Sequence, residues 1–95
     1  RRVQAQEALA LGLLNEVVAD DDLHPRTAEL ASQIAAGPPL AVRYMKQNIN
    51  RATENDFKTC LDWEADRLVR VAQTEDHKEA VRAFIDKRAP NFRGE

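Results

Sequence analysis

The stretch TEDHKEAVRAFIDKRAPNFRG, residues 74–94, decides how the rest of this chain is interpreted. Thr74 is a typical helix N-cap, and Glu75 and Asp76 place negative charge in the first turn, where the helix dipole favours it. Pro90 follows the helical pattern and ends it. Between these limits side chains recur at helical spacing, at Val81, Phe84, Ile85 and Arg88. The stretch therefore predicts one amphipathic helix followed by a short tail.

Helical signals continue upstream over most of the chain. A run of helix-forming residues from Ala5 stops at Gly12, a typical left-handed helix end, and Asp20–Asp22 suit the start of a second helix that ends near Gly37. Pro38-Pro39 breaks that helix and can open a third. Asn55 or Asp56 can cap a fourth, whose apolar face carries Phe57, Cys60, Leu61, Leu68, Val71 and Ala72.

Only Val17-Val18-Ala19 has the composition of a strand, and it is too short to make a sheet alone. The sequence therefore predicts a mainly α fold of five helices with at most one short strand.

Four segments, in order, resemble the C-terminal part of the crotonase superfamily, the enoyl-CoA hydratases and isomerases. The family's A-x-E-A-x-x-x-G-L-V-N-x-V segment is similar to residues 5–18, and its P-x-A…K…N helix is similar to Pro39, Ala41, Lys46 and Asn50. A helix glutamate of the family corresponds to Glu64. The family's closing run T-x-D-x-x-E-G-x-x-A-F-x-x-K-R-x-P-x-F-x-G resembles residues 74–94, with Ala80 where the family usually has glycine.

The resemblance implies that the chain is the helical C-terminal segment of a crotonase-like α/β spiral fold. On this reading residues 1–20 end the core, with a short helix and a short strand, and residues 21–95 form a helical oligomerisation region. The chain lacks an initial methionine, and we expect it to be a portion of a longer protein. In the family the missing core would cover the amphipathic helices, and the C-terminal helices build trimer contacts, which predicts a homo-oligomeric parent, a trimer or a dimer of trimers.

Composition excludes several functional classes. A net charge of −2 gives no basic excess for nucleic-acid binding. No apolar run approaches the roughly 20 residues of a membrane span. The single Cys60 excludes an internal disulfide framework and suits a reducing compartment, so we expect a cytoplasmic protein, or a mitochondrial matrix protein if the source is eukaryotic. His24 and His77 lie on separate segments without a third ligand at metal spacing, so no metal site is predicted.

The chemistry that the resemblance implies is absent from this portion. In the family, two backbone N–H groups polarise an acyl-CoA thioester carbonyl and acidic side chains move protons, all from the N-terminal two-thirds. No segment here matches those loops, so we predict no catalytic residue and no activity for the isolated chain. Glu64 is better interpreted as a structural partner of Arg67 or Arg70 than as a catalytic acid.

One ligand-binding hypothesis remains, at Phe84 and Lys87. They lie three residues apart on the last helix and so share a face. In crotonase relatives the aromatic residue and the lysine of this run lie near the adenine and phosphates of coenzyme A, which implies the same contacts here. The alternative is that Phe84 is a core residue and Lys87 a solvated cation at the helix C-terminus.

Two functions stay open on the sequence. The first is part of an acyl-CoA enzyme, led by enoyl-CoA hydratase, with a coenzyme A thioester as substrate and no tightly bound cofactor. The second is a non-catalytic helical self-association module derived from a crotonase.

Overall fold

The structure, a computed structural model, describes all 95 residues from Arg1 to Glu95. It contains one 3₁₀ turn at Asp20–Asp22 and five α-helices: α1 Ala5–Ala10, α2 Leu23–Ala35, α3 Pro39–Ala52, α4 Phe57–Ala72 and α5 Glu75–Ile85. The mainly α prediction is confirmed. No helix combines the length and the apolar character that crossing a membrane requires.

The expected strand at Val17-Val18-Ala19 was wrong, because these residues form no regular element. A strand exists only when a neighbouring strand pairs with its N–H and C=O groups, and this chain folds no second extended segment beside it. The β-branched side chains of Val17 and Val18 cannot replace that neighbouring strand.

The chain divides into two units, Arg1–Gln33 and Ile34–Glu95. The assignment of residues 1–20 to the end of a core and of residues 21–95 to an oligomerisation region stays a prediction.

In the first unit, α1 ends as its glycine predicted. Gly12 has a φ of +74°, and its N–H donates to the Leu9 carbonyl at 3.0 Å while Leu13 N–H donates to the Ala8 carbonyl at 2.9 Å. These two bonds are the Schellman helix end, which satisfies carbonyls that the last turn leaves free.

The loop before α2 is tied to that helix by an arginine. Arg26 Nε donates to both Glu16 oxygens at 2.9 and 3.0 Å, and Arg26 Nη1 donates to Glu29 at 2.7 Å. These carboxylates, Glu16 before Glu29, raise the pKa of Arg26. The pairs are exposed, so they orient the loop more than they stabilise it.

In the second unit, side-chain caps start α4 and α5. Asp56 accepts from Thr59 N–H at 2.8 Å, and Thr74 accepts from His77 N–H at 3.1 Å. Asp56, rather than Asn55, is therefore the cap of α4. Each cap satisfies one of the N–H groups that a helix start leaves without a partner.

Helices α3 and α4 pack against each other through aromatic and cationic side chains. The Arg67 guanidinium lies 4.8 Å from the Tyr44 ring centre, and the Arg51 guanidinium lies 4.8 Å from the Trp63 ring centre. Each pair is a cation–π contact between one side chain of α3 and one side chain of α4.

Little apolar surface is buried. Only Ala83 and Asp76 are buried, whereas the α4 stripe of Phe57, Leu61 and Leu68 is 82%, 53% and 68% exposed. An exposed contiguous apolar surface is uncommon in a monomer and indicates a missing partner surface.

Candidate functional site at the end of the last helix

Residues 74–94 fold into a helix and a tail that returns along it. The Asp76 carboxylate accepts from Arg93 N–H at 2.7 Å and from Gly94 N–H at 2.8 Å, and Asp76 N–H donates to the Glu95 carbonyl at 3.0 Å. Asp76 is only 4% exposed. A buried carboxylate with two backbone donors is well satisfied, so the tail is fixed at the start of α5.

Gly94 completes this contact because no other residue fits it well. Its φ is +80°, and a Cβ added there would lie 3.5 Å from the Pro39 ring. The left-handed backbone, rather than lack of space, is therefore what favours glycine.

Glu79 holds the tail one turn further along α5. Its two oxygens accept from Arg88 Nη1 at 2.6 Å and Arg88 Nη2 at 3.0 Å, and Oε1 also accepts from Asn91 N–H at 3.0 Å. Arg88, and after it the Asn91 amide, lower the pKa of Glu79 from its ordinary 4.5 to about 2. The carboxylate thus stays ionised and joined to the tail throughout the neutral range.

Lys87, one of the two predicted ligand residues, lies in the turn between α5 and the tail. It has a φ of +53°, and it is the only residue other than glycine with a positive φ. Its N–H donates to the Phe84 carbonyl at 3.3 Å, and Arg88 N–H donates to the Ala83 carbonyl at 3.0 Å. This is again a Schellman end, with lysine at the position where glycine is usual.

The Lys87 side chain is exposed and takes part in none of the ion pairs of the chain. A left-handed lysine costs about 1–2 kcal/mol relative to the ordinary helical conformation. The residue therefore combines a cation that has no ion-pair partner within the chain with backbone strain, and strained residues cluster at functional sites.

Phe84, the second predicted ligand residue, is 85% exposed, and its neighbours Val81 and Ile85 are 46% and 71% exposed. A ligand contact and a core position therefore both stay predictions for Phe84, since the longer protein can cover a face that is exposed in this chain. A backbone bond links the two residues, from Lys87 N–H to the Phe84 carbonyl. The expected shared helix face was wrong, because α5 ends at Ile85 and Lys87 lies beyond it in the left-handed turn.

Glu64 has a different environment from the predicted one. Arg67 and Arg70 both pair with Asp66, at 3.2 and 2.8 Å, and the expected pairing with Glu64 was wrong. Asp66 lies four residues before Arg70, on the same helix face, which explains the Arg70 pair; this spacing does not explain the pair of adjacent residues Asp66 and Arg67. Glu64 instead lines a groove between α3 and α4 beside Asn48.

The remaining chemical candidates stay apart. No three His, Cys, Asp or Glu side chains converge in a geometry that could hold a metal ion. The Cys60 sulfur lies 4.0 Å from the Asn55 carbonyl at the start of α4, a contact of a small helix residue.

Sequence reasoning missed the role of Asp76, which it treated as a favourable charge in the first turn, and the role of Glu79, which it named only as part of the family run. The available signal was their three-residue spacing, which puts both carboxylates on one face of α5, combined with a glycine near the chain end. Only the folded tail shows what those carboxylates bind.

Comparison with known proteins identifies relatives over the whole chain. The family model described as enoyl-CoA hydratase/isomerase matches residues 1–95. The short-chain-enoyl-CoA hydratase of Clostridium acetobutylicum is 40% identical over 88 residues, covering 93% of this chain and 34% of the relative. The methylmalonyl-CoA decarboxylase of Escherichia coli is 35% identical over 94 residues, covering 97% of this chain and 36% of the relative.

A solved structure gives the same result for the fold. The crystal structure of enoyl-CoA hydratase from Bacillus anthracis superposes with a TM-score of 0.95 at 38% identity, covering 100% of this chain and 37% of that one. The chain spans about a third of the length of the curated relatives it matches. The match falls on their helical C-terminal part.

Proposed function

The chain belongs to the enoyl-CoA hydratase/isomerase family of the crotonase superfamily, and from that premise we propose that it is the C-terminal part of an acyl-CoA-processing enzyme. In this proposal the parent adds water to a 2-enoyl-CoA, and Lys87 and Phe84 contact the nucleotide end of the coenzyme A thioester. One observation carries the proposal: an exposed aromatic ring and an unpaired cation share the end of a helix that two carboxylates fasten to its own tail.

The chemistry of the two side chains suits the nucleotide. An ammonium meets a phosphate as a compact point charge, and an aromatic ring packs against a purine face. Lys87 lies outside every internal ion pair, so binding a phosphate there breaks no existing contact of its side chain. Phe84, already exposed, gains from being covered by a flat apolar ligand.

The reacting groups must come from the rest of the parent protein. Stabilising the enolate that forms from a thioester requires donors aimed at its oxygen, and proton transfer requires acids next to the reacting carbons. In this chain the carboxylates of Asp76 and Glu79 already accept hydrogen bonds from the tail. We therefore propose that the 95-residue chain alone is inactive.

The choice of hydration over another reaction rests on the relatives. A hydratase at 40% identity and a decarboxylase at 35% both match this segment, so the segment serves more than one chemistry. A shared fold and a shared coenzyme A portion of the substrate do not determine which reaction is catalysed. The more similar relative favours hydration.

Assembly and location follow the same premise. The exposed apolar side chains of α4 and α5 require a covering surface. We propose that the parent is a homo-oligomer, a trimer or a dimer of trimers, in the cytoplasm, or in the mitochondrial matrix of a eukaryote. No tightly bound cofactor, metal, membrane or nucleic acid enters this proposal.

A non-catalytic self-association module is the second candidate, and the same exposed surface supports it. The two candidates differ in what the isolated chain does. A module that assembles by itself gives defined oligomers that bind little hydrophobic dye. A portion of an enzyme gives aggregates or exchanging species that bind such a dye strongly, as light scattering and fluorescence would distinguish.

The proposed ligand contact is tested in the protein that contains this chain. Lys87→Ala raises KM for an acyl-CoA, by roughly 10-fold or more where the phosphate contact is sheltered and by less where it is solvated, and leaves kcat nearly unchanged. A contact with a remote group contributes similarly to ground-state and transition-state binding, which is why KM carries the effect.

Two controls accompany this measurement. An acyl-pantetheine substrate lacks the nucleotide, so wild type and Lys87→Ala should process it equally. Lys78→Ala removes an exposed lysine of the same helix that is already paired with Glu75, and it should leave KM unchanged. Equal losses of turnover on both substrates would contradict the nucleotide contact.

A further inference from the structure

One carboxylate on α5, the helix that precedes Lys87, binds the residues that follow the left-handed turn at Lys87. We infer that Glu79 is a positioning residue, which fixes the left-handed turn at Lys87 and thereby the direction in which the Lys87 ammonium points. This inference rests on the proposed function of Lys87 and goes beyond it by naming the residue that controls the contact.

The first step is that the conformation of Lys87 needs support. Its φ of +53° is unfavourable for a residue with a Cβ. Such residues persist only where surrounding contacts overdetermine them. If those contacts were lost, Lys87 would adopt the ordinary helical conformation and α5 would extend by part of a turn. The lysine side chain would then leave the helix in a different direction.

The second step is that Glu79 supplies these contacts on the C-terminal side of Lys87. Arg88 follows Lys87 directly, and both of its Nη atoms donate to Glu79, at 2.6 and 3.0 Å. Asn91 N–H, three residues later, donates to the same carboxylate at 3.0 Å. One side chain therefore binds two residues that follow the left-handed turn, Arg88 and Asn91.

The third step is that no other acid does the same. Asp86 reaches only Arg88 Nε, at 3.5 Å, from within the turn itself. Glu75 pairs with Lys78 inside α5 and contacts nothing in the tail. Asp76 binds the tail further on, at Arg93 and Gly94. The Glu79 side chain is also the more enclosed partner of its pair, 19% exposed against 44% for Arg88.

The consequence for ligand binding is specific. If the turn no longer holds Lys87 in its left-handed conformation, the Lys87 ammonium reaches the phosphate in a smaller fraction of the protein molecules. Apparent affinity falls by that fraction. The reacting centre of the acyl group is unaffected. The loss of the contact should therefore raise KM for substrates that carry the nucleotide and leave kcat unchanged.

The test uses Glu79→Gln in the protein that contains this chain, assayed with an acyl-CoA and an acyl-pantetheine. Glutamine keeps the size of the side chain and removes the charge that binds Arg88. KM for the acyl-CoA should rise about 3- to 10-fold, with kcat and the acyl-pantetheine parameters unchanged. Glu75→Gln, which removes an equivalent ion pair of the same helix, is the matched control and should leave KM at the wild-type value.

A double substitution separates positioning from general structural support. In a Lys87→Ala background, Glu79→Gln should change KM less than about 2-fold, because the side chain that Glu79 positions is gone. Arg88→Gln breaks the same pair from the exposed side and should reproduce Glu79→Gln; it carries the test if Glu79→Gln does not fold.

The outcomes distinguish the inference from the proposed function. If Lys87→Ala raises KM but Glu79→Gln and Arg88→Gln do not, the inference is overturned and the ligand contact stands. Additive effects of Glu79→Gln and Lys87→Ala, or equal effects on both substrates, also overturn it. If Lys87→Ala leaves KM unchanged, the ligand contact fails, and the positioning role fails with it.

Discussion

The two faces of α5 differ in a way that reverses the usual pattern. The face turned toward the tail carries Asp76, Glu79 and Ala83, and its carboxylates bind backbone amides and an arginine. The opposite face carries Val81, Phe84 and Ile85, which are 46%, 85% and 71% exposed. Charge is turned inward and apolar surface outward.

This difference shows that hydrophobic periodicity locates a helix but does not say which molecule covers its apolar face. Periodicity predicted α5 correctly, and the apolar stripe exists. Within this chain the stripe stays exposed. The polar face needs no such partner, because the tail of the same chain satisfies it.

Removing the Asp76 carboxylate should have the largest effect, because it loosens the attachment of the tail to the inward face of α5. Asp76→Ala removes two charge-assisted bonds to Arg93 and Gly94 amides from a buried position. We expect the free energy of local opening of the tail to fall by about 2–4 kcal/mol, less than the sum of two such bonds because the freed amides reach water. Amide hydrogen exchange at Arg93 and Gly94, in the protein that contains this chain, measures it.

Phe84→Ala is the matched change on the opposite face and should leave the exchange of those two amides unchanged. Asp76→Asn keeps one acceptor oxygen and should give an intermediate rate. Unaltered protection in Asp76→Ala would show that apolar packing, and not the carboxylate, holds the tail.

Acid should weaken the second attachment of the inward face. Arg88 and the Asn91 amide hold the pKa of Glu79 near 2, below its ordinary 4.5. A lowered folded-state pKa means that the unfolded state binds more protons between these values, so the stability from Glu79 is complete above about pH 4.5 and is lost as pH falls toward 2.

The difference in unfolding free energy between wild type and Glu79→Gln should therefore shrink as the pH is lowered from 5 to about 2. Urea unfolding at several pH values measures this difference, and subtraction removes the other carboxylates with lowered pKa, which include Asp56, Asp66 and Glu75. A difference that stays constant over this range would contradict the Glu79 assignment.

The smallest expected effect concerns the turn at Lys87, between α5 and the tail. Lys87→Gly relieves the left-handed strain and should stabilise the turn by roughly 0.5–1 kcal/mol, after the entropy of glycine in the unfolded chain is included. Exchange of the Arg88 amide, which bonds to the Ala83 carbonyl, should slow correspondingly. Lys87→Ala keeps the strain and should not slow it.

Lys87→Gly also tests why lysine stands there. In the parent protein the glycine variant should bind acyl-CoA as weakly as Lys87→Ala while being more stable, which is the trade-off expected where function requires strain. A glycine variant that loses both stability and affinity would show that the lysine side chain supports the fold.

The sequence by itself determined the features that depend on neighbouring residues. Thr74 was recognisable as a cap, and the cap of α4 was limited to Asn55 or Asp56, because a short polar side chain can reach an N–H three residues on. Gly12 was recognisable as a helix end because only glycine adopts φ near +74° at low cost. The family motifs likewise placed Phe84 on the last helix, whereas Lys87, expected on the same helix, lies beyond its end at Ile85.

Tertiary structure decided the features that depend on residues distant in the chain. Asp76 binds amides 17 and 18 residues away, and Glu79 binds Arg88 nine residues away. The absence of a pairing strand for Val17-Val18 was equally open in the sequence. Local propensity fixes a conformation through nearest neighbours, but a buried carboxylate or an extended segment is defined by whichever distant group reaches it, and only the folded chain brings that group within range.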